Sequence, residues 1–104
     1  MSSETECPKL SKRFVRGFLD VVVLSMLTKE SLWGYRMMTM LKERYNLKVG
    51  PPVIYPLLDK MENEKLIASH EAKHANRVRK MYEITEKGRK KLSCMKKIYE
   101  EILG

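Results

Sequence analysis

The stretch VGPPVIYPLLDKMENEKLI, from Val49 to Ile67, decides how the rest of this 104-residue chain is interpreted. Three prolines fall within its first eight residues, and a helical pattern follows them. The apolar residues that come next recur at i, i+3, i+4 and i+7, the spacing of one buried helix face: Ile54, Leu57, Leu58 and Met61. Pro56 lacks an N–H and disfavours a helical residue before it, so it fits only near a first turn. The spacing therefore predicts a helix from about Val53 to Glu64, with Pro51 and Pro52 leading in as extended chain.

The other face of this helix is free to contact another molecule. Its outer positions are Val53, Tyr55, Pro56, Asp59, Lys60 and Asn63. Free N–H groups at the start of such a helix can bind phosphate, helped by the helix dipole. A tyrosine can donate to a phosphate oxygen, and a proline or valine can contact a thymine methyl group. Tyr55 has a second interpretation, because an amphipathic side chain also suits the edge of a core.

Two further helices are predicted before this stretch. Pro8 can open the first, although the β-branched run Val21–Val23 leaves a strand open on propensity alone. Its helical stripe consists of Leu10, Phe14, Phe18, Val21, Val22 and Ser25. Ser31 is a plausible N-cap for the second helix, which runs from about Trp33 to Tyr45. Gly50 and the prolines after it then break the helical pattern.

After the third helix the apolar period changes from helical to alternating. LIASHEA and RKMYEIT predict two short strands, and KHANRVR between them predicts a polar, basic connection longer than a tight turn. Thr85 is placed to cap a final helix, with Glu86 in its first turn. Three helices, a hairpin and a last helix indicate a fold that is mainly α with a small β-hairpin, a winged helix-turn-helix plus a C-terminal helix.

The same pattern divides the chain into three segments. Residues 1–8 are polar and lack periodicity, which predicts a flexible N-terminus. Residues 9–85 form the predicted winged-helix DNA-binding domain, and residues 86–104 form a C-terminal dimerisation helix.

The charge balance favours a polyanionic partner. The chain has 21 Lys and Arg against 13 Asp and Glu, a net charge of +8, although a surface evolved for solubility would show the same excess. The segment Ala72–Lys80 carries four cations and no acid, and an arginine-bearing hairpin beside a reading helix can reach the minor groove or phosphates. The predicted contacts to double-stranded DNA are Lys48, Pro52, Val53, Tyr55, Lys60, Lys73, Arg77, Arg79 and Lys80.

Several other classes of protein are disfavoured. The apolar run Val21–Leu27 is too short to cross a bilayer, which takes about 20 residues, so no membrane partner is expected. Cys7 and Cys94 match no metal or redox spacing and indicate free thiols in a reducing cytoplasm. His70 and His74 lie in a predicted strand and loop, where their spacing does not bring the two rings together. No catalytic motif is found, so we expect neither an enzyme nor a cofactor.

Two apolar clusters raise further hypotheses. Trp33 and Met37, near the RMMTML segment, could bind a small aromatic or lipophilic effector, but core filling explains them more simply. In the last helix a stripe close to a/d spacing predicts a homodimer: Leu92, Met95, Ile98, Tyr99 and Ile102. The same stripe could pack on the chain's own first helix, and the two arrangements are compatible.

Taken together, RGFLDVVVLSML, LWGYRM, IYPLLDKME with the following EKLI, and RKMYEITEKGRKKL resemble the PadR family of transcriptional regulators. The resemblance covers roughly Arg16 to Leu92 and implies an N-terminal winged helix, a C-terminal dimerisation helix and, in many members, repression relieved by an aromatic or lipophilic compound. It also favours helix for the valine run. It implies a regulator of the branch with a single C-terminal helix, whose effector pocket would form at the dimer interface. The alternative is a winged helix that binds a protein partner instead of specific DNA.

The chain departs from the family pattern at three places. Gly50-Pro51-Pro52-Val53 stands where small polar residues such as Ser-Pro-Gly-Ser are usual. Asn76-Arg77-Val78-Arg79-Lys80 replaces the usual Gly-Arg-Pro-Arg-Lys of the wing and keeps its three cations. Trp33 replaces a tyrosine.

Overall fold

The computed structural model describes residues 12–104. The predicted flexible segment, residues 1–8, lies outside the described residues, as do Pro8, Leu10 and Cys7. The described helices are residues 12–17 (α1), Leu19–Leu27 (α2), Gly34–Tyr45 (α3), Pro51–Asn63 (α4) and Glu86–Leu103 (α5). The strands are Leu32–Trp33 (β1), Ile67–His74 (β2) and Arg77–Ile84 (β3). The predicted fold, mainly α with a small hairpin, is confirmed, and β1 adds a third strand to the sheet.

The first apolar segment is helical on both sides of a local break at Phe18, where φ is −124° and ψ is 38°. The valine run is helix, because Val23 and the residues after it bury one face of α2 in the core. The predicted stripe is only partly a core stripe. Phe14 is 48% exposed and Ser25 is exposed, whereas Val15 and Leu24 are buried. The segment has two apolar faces, and the predicted one turns toward α5.

Between α2 and α4 the chain forms strand β1 and helix α3. Ser31 is not the N-cap of α3, since Leu32 and Trp33 form β1 and Trp33 occupies the cap position in an extended conformation. At the other end Asn46 adopts a left-handed conformation, φ 53°, which small amides tolerate better than most residues. Its N–H donates to the Lys42 carbonyl at 3.0 Å and closes α3.

The core lies between α2, α3, α4 and the sheet. Ile54, Leu58 and Met61 bury the inner face of α4, and Leu57 is half-buried at its edge, so the predicted stripe is confirmed. Met37, Leu41 and Leu47 are fully buried against them. The largest fully buried side chain is Tyr82 of β3, which covers the sheet side of the core.

The sheet is antiparallel, in the order β1-β3-β2. Strand β1 pairs only with Met81 and Tyr82, whereas β2 pairs with β3 over its whole length, from Ile67↔Ile84 to His74↔Arg77. Side chains alternate between two faces, so Tyr82 and Lys80 share the inner face while Arg77, Arg79 and Met81 share the outer face.

Helix α5 is anchored at its start, as predicted. The Thr85 hydroxyl accepts from the Gly88 N–H at 3.0 Å and lies 2.6 Å from the Lys65 carbonyl oxygen. The Thr85 N–H donates to the Leu66 carbonyl at 3.1 Å. The helix then runs along α2 and leaves Cys94 as an exposed free thiol. Within residues 12–104, none of the helices is both long enough and apolar enough to cross a membrane.

Candidate nucleic-acid interface

Helix α4 begins two residues earlier than predicted. Pro51 and Pro52 are its first residues, and Gly50, with φ −98° and ψ 175°, is its N-cap. The prediction of an extended lead-in was wrong because proline's fixed φ suits a helix start, where a missing N–H costs nothing. Pro56 is therefore the sixth residue of the helix, in its second turn, and not in the first turn as predicted.

The first four residues of α4, 51–54, have no free backbone N–H. Pro51 and Pro52 lack N–H groups, and the Val53 and Ile54 N–H groups both donate to the Gly50 carbonyl, at 3.0 and 3.1 Å. The expectation of several free N–H groups here is therefore wrong for these four residues, and phosphate binding at the tip stays a prediction. Residues 51–54 can therefore contact a partner mainly through side chains. The exposed ones are the two proline rings and Val53, which is 53% exposed.

The outer face of α4 carries the predicted residues. Lys60, Asp59 and Asn63 are exposed, and Tyr55 is 39% exposed. Tyr55 also packs on the first residue of α3, since a Cβ added at Gly34 would lie 2.7 Å from the Tyr55 hydroxyl oxygen. The ring thus covers the junction of two helices, as the core-edge interpretation expects, while its exposed side leaves the DNA contact a prediction.

The hairpin turn is tighter than predicted. Strands β2 and β3 pair as far as His74↔Arg77, so the connection is only Ala75 and Asn76, both with positive φ (50° and 64°). Two residues in that conformation form the type I′ turn, whose twist matches the flanking strands. The basic segment predicted as a loop is therefore a regular ribbon, the wing.

The wing cations have unequal surroundings. Arg77 and Lys73 are exposed, as is Lys48 on the connection before α4. The Lys80 ammonium lies 3.6 Å from the Glu62 carboxylate and 5.5 Å from the Tyr82 ring centre. Tyr82 and then Glu62 raise the pKa of Lys80, which keeps it charged. Arg79 is half-buried, with its guanidinium carbon 4.9 Å from the centre of the Trp33 ring.

The wing and α4 border one cleft of about 390 Å³. Tyr55 and Asp59 line it from α4, and Val78, Arg79 and Lys80 line it from β3. The start of α3 closes one end with Trp33, Gly34 and Tyr35. Three of the nine predicted contact residues thus line one cleft: Tyr55, Arg79 and Lys80. Lys60 and Lys48 line separate hollows, beside α1 and α2 and beside α3 respectively.

The predicted effector pair is not brought together as a pocket. Met37 is fully buried and belongs to the core, so it cannot line a cavity open to a ligand. Trp33 lies on the outer face of the sheet, with its ring 5.1 Å from the His74 ring. The simpler explanation, core filling, holds for Met37 but not for Trp33.

The predicted dimerisation stripe of α5 is divided between two environments. Leu92, Met95 and Tyr99 are half-buried, and the Tyr99 ring lies 5.9 Å from Phe14 and 5.3 Å from Phe18. Ile98 and Ile102 are 46% and 72% exposed. A cavity of about 460 Å³ between α2 and α5 is lined by Val21, Ser25, Thr28, Arg89, Leu92, Ser93, Lys96 and Tyr99. One side of α5 therefore packs on the chain's own first helices, and the other is uncovered.

Sequence reasoning missed two groups that shape this surface. Glu62 accepts a hydrogen bond from the Ser69 hydroxyl and so joins α4 to β2. Trp33 stacks on Arg79 across the sheet. Extending the period-2 alternation from Met81 back to Arg77 would have placed Arg79 on the outer face, but pairing with β1 has no sequence signal in two residues.

Known protein families and solved structures that resemble this chain agree with this geometry. A family model described as the transcriptional regulator PadR-like family matches residues 23–94. A PadR-like transcriptional regulator from Bacillus cereus has 31% sequence identity and a TM-score of 0.78, over 86% of this chain and 88% of that chain. A PadR family transcription regulator from Clostridium difficile has 26% identity and a TM-score of 0.69, over 84% of this chain and 99% of that chain.

A PadR-like transcription factor from Bacteroides fragilis has 25% identity and a TM-score of 0.76, covering 90% of this chain and 91% of that chain. No curated protein sequence matches the chain significantly. The family is one of transcriptional regulators and not of enzymes. The family match over most of the chain, the likeness to these structures and the cleft between α4 and a basic wing agree: the chain belongs to the PadR-like family of transcriptional regulators.

Proposed function

We propose that this protein is a sequence-specific DNA-binding repressor that acts in the cytoplasm as a homodimer. The observation that carries the proposal is the single cleft shared by the outer face of α4 and the wing. In helix-turn-helix proteins the second helix enters the major groove by its N-terminal part. Val53, Tyr55 and Lys60 would then face base edges and the near backbone, and the wing would lie along the adjacent phosphates.

The charges support a contact with the DNA backbone. Lys73 and Arg77 are exposed on the wing, Lys48 is exposed on the connection before α4, and Lys60 is exposed on α4. A chain of net charge +8 gains affinity for DNA by releasing counterions from it. Asp59 is the exception within the cleft, and its carboxylate suits a base edge, because an aspartate can accept a hydrogen bond from the cytosine amino group.

The uncovered side of α5 supports the homodimer. Ile98, Ile102 and Leu103 are 46%, 72% and 77% exposed along a helix that extends from the body of the domain. A contiguous apolar strip of this kind is typical of an interface. A second copy packed on it in a two-fold arrangement would present two α4 helices to a palindromic site.

The cavity between α2 and α5 supports a ligand-controlled repressor. Its lining combines apolar walls with Arg89 and Lys96, which suits an aromatic or lipophilic compound with an anionic group. In the proposed dimer the partner's α5 would lie close to this cavity. Ligand binding would then alter the spacing of the two reading helices, which is how such a compound would release DNA.

Selection of bound duplexes from a random pool at moderate salt tests the proposal. We expect an enriched palindrome whose half-site centres lie about 10 base pairs apart, or a multiple of that, as the two-fold symmetry requires. Placed over a promoter, that site should reduce transcription in the presence of the protein. A pool that stays random after selection, with no affinity for duplex even at low salt, would favour a winged helix that binds a protein partner.

A further inference from the structure

The outer half of the wing has little support from the rest of the sheet. Strand β1 reaches only Met81 and Tyr82, so the ribbon from Glu71 to Lys80 consists of two strands alone. An isolated two-stranded hairpin is marginally stable in water at best. Its orientation relative to α4 must therefore be fixed by side chains.

One side chain reaches along this ribbon from the body of the domain. Trp33, the last residue of β1, contacts both strands of the ribbon on its outer face. The Arg79 guanidinium carbon lies 4.9 Å from its ring centre, and the His74 ring, at the far end of β2, lies 5.1 Å away at an angle of 37°. The indole therefore spans from β1 to the last residue pair before the turn.

The stack is held by ring and charge contacts. Within residues 12–104 the Trp33 Nε1 and the Arg79 Nε are both buried and have no protein acceptor. A guanidinium over an indole face is attracted by the ring's electron density and strengthens as water is excluded. Arg79, half-buried beneath the ring, is thus committed to this contact, whereas Arg77 is exposed beside the turn.

We propose that Trp33 is a positioning residue for DNA binding: its indole ring, through Arg79 and His74, fixes the outer half of the wing so that Arg77 meets the DNA backbone. The inference rests on the proposed function. It assigns Arg79 to the support of the wing, and the phosphate contact at the wing tip to Arg77.

Double-mutant cycles on the full chain test this role. The affinity for a fluorescent duplex is measured for Trp33→Leu, Arg77→Ala and the pair. In the matched control cycle, Lys60→Ala takes the place of Arg77→Ala. Lys60 is a cation on α4, and Trp33 does not contact it. Sites that act independently combine to within about a factor of two.

We expect Arg77→Ala to weaken binding several-fold in the wild-type chain but by less than about twofold in Trp33→Leu, since the arginine is already misplaced there. Lys60→Ala should cost the same in both backgrounds, and Trp33→Phe, which keeps a ring, should restore most of the Arg77 effect. A general loss of folded protein would lower the apparent affinity in that background by a common factor and leave both cations' fold effects unchanged, so it cannot produce this difference.

If the Arg77 effect is undiminished in Trp33→Leu, the positioning role is wrong while the proposed function stands. If the wild-type chain binds no duplex at low salt, both the positioning role and the proposed function are wrong. If Trp33→Leu does not fold, Arg79→Ala removes the same stack by deleting its other partner. The double-mutant cycles with Arg77→Ala and Lys60→Ala are then measured in the Arg79→Ala background. Acrylamide quenching of Trp33, the chain's single tryptophan, must then increase. Unchanged quenching would overturn the proposal.

Discussion

The first residues of α4 present carbon atoms to the outside where a DNA-reading helix commonly presents donors. Pro51 and Pro52 have no N–H, and the next two N–H groups are bonded to Gly50. Val53 is exposed in this turn together with the two proline rings. Such a tip can contact the thymine C5-methyl group in the major groove, whereas its first four residues have no free N–H to offer a purine.

This tip makes a testable prediction about the DNA itself. Replacing thymine by uracil at the position that Val53 contacts in a selected duplex should weaken binding about fourfold, because burying one methyl group contributes about 0.8 kcal/mol. Fluorescence anisotropy with the two duplexes measures the difference. Val53→Ser should bind both duplexes equally, whereas Lys60→Ala should bind both more weakly and keep the difference. Indifference of the wild-type chain to uracil at every thymine would exclude methyl readout.

At the scale of elements, Glu62 connects α4 to both long strands. Its carboxylate accepts from the Ser69 hydroxyl on β2 and lies 3.6 Å from the Lys80 ammonium on β3. The Ser69 hydrogen bond, helped by the charge of Lys80, lowers the pKa of Glu62 from its ordinary value of 4.5, although burial opposes this shift. The same carboxylate thus links α4 to both strands of the sheet that forms the wing.

The lowered pKa predicts how stability depends on acid. A group whose pKa is lower in the folded chain stabilises it above the unfolded pKa, and that contribution disappears as the pH falls through the folded value. The melting temperature of the wild-type chain should therefore exceed that of Glu62→Gln at neutral pH, and the gap should close below about pH 4. Glu64→Gln, an exposed change beside the same helix, serves as the control. A gap that stays constant with pH would contradict this account.

The start of α5 predicts a contrast between two glycines. A Cβ at Gly88 would lie within 2.8 Å of an Ile84 side-chain carbon and closer still to the Leu66 carbonyl oxygen, whereas nothing lies within 4 Å at Gly17. We expect Gly88→Ala to lower the free energy of unfolding by about 1–3 kcal/mol, the usual cost of overpacking. Gly17→Ala should leave it unchanged or raise it by up to about 1 kcal/mol, since alanine favours helix. Urea denaturation measures both, and equal effects would mean that α5 is not docked through Gly88.

The elements that could be predicted from sequence are those with one strongly apolar face. The stripe of α4 and the Thr85 cap of α5 depend on residues close together in the chain, so spacing alone reveals them. Strand β1, with two residues, has no period to detect. Whether Val53 and Ile54 keep free N–H groups depends on the conformation of Gly50, and the stack of Trp33 on Arg79 depends on sheet register. Neither feature can be predicted from residues that are neighbours in the sequence.

At the scale of the whole molecule, α5 leaves an apolar strip uncovered. Ile98 and Ile102 lie one helical turn apart and are 46% and 72% exposed, while Tyr99 turns inward onto Phe14 and Phe18. The domain thus needs only part of α5 for its own packing. The remainder is available to a second copy.

Charge placed on this strip should separate the proposed dimer. We expect Ile98→Glu with Ile102→Glu to sediment as a folded monomer, because two like charges would be buried in the interface without partners. Lys97→Glu, an exposed change on the same helix, should remain dimeric. The monomer should also bind the palindrome more weakly than the dimer. A double variant that keeps the wild-type mass in solution would place the dimer interface elsewhere.

The most direct test of DNA binding by this surface is the salt dependence of duplex affinity for the wild-type chain, Arg77→Ala and Lys90→Ala. The wild-type affinity should fall linearly with the logarithm of salt concentration, as counterion release requires. Arg77→Ala should reduce that slope by about 1, whereas Lys90→Ala, which removes the same charge from an exposed position on α5, should leave it unchanged. Identical slopes for the three proteins would contradict contact through the wing, and a wild-type chain with no affinity at low salt would contradict DNA binding altogether.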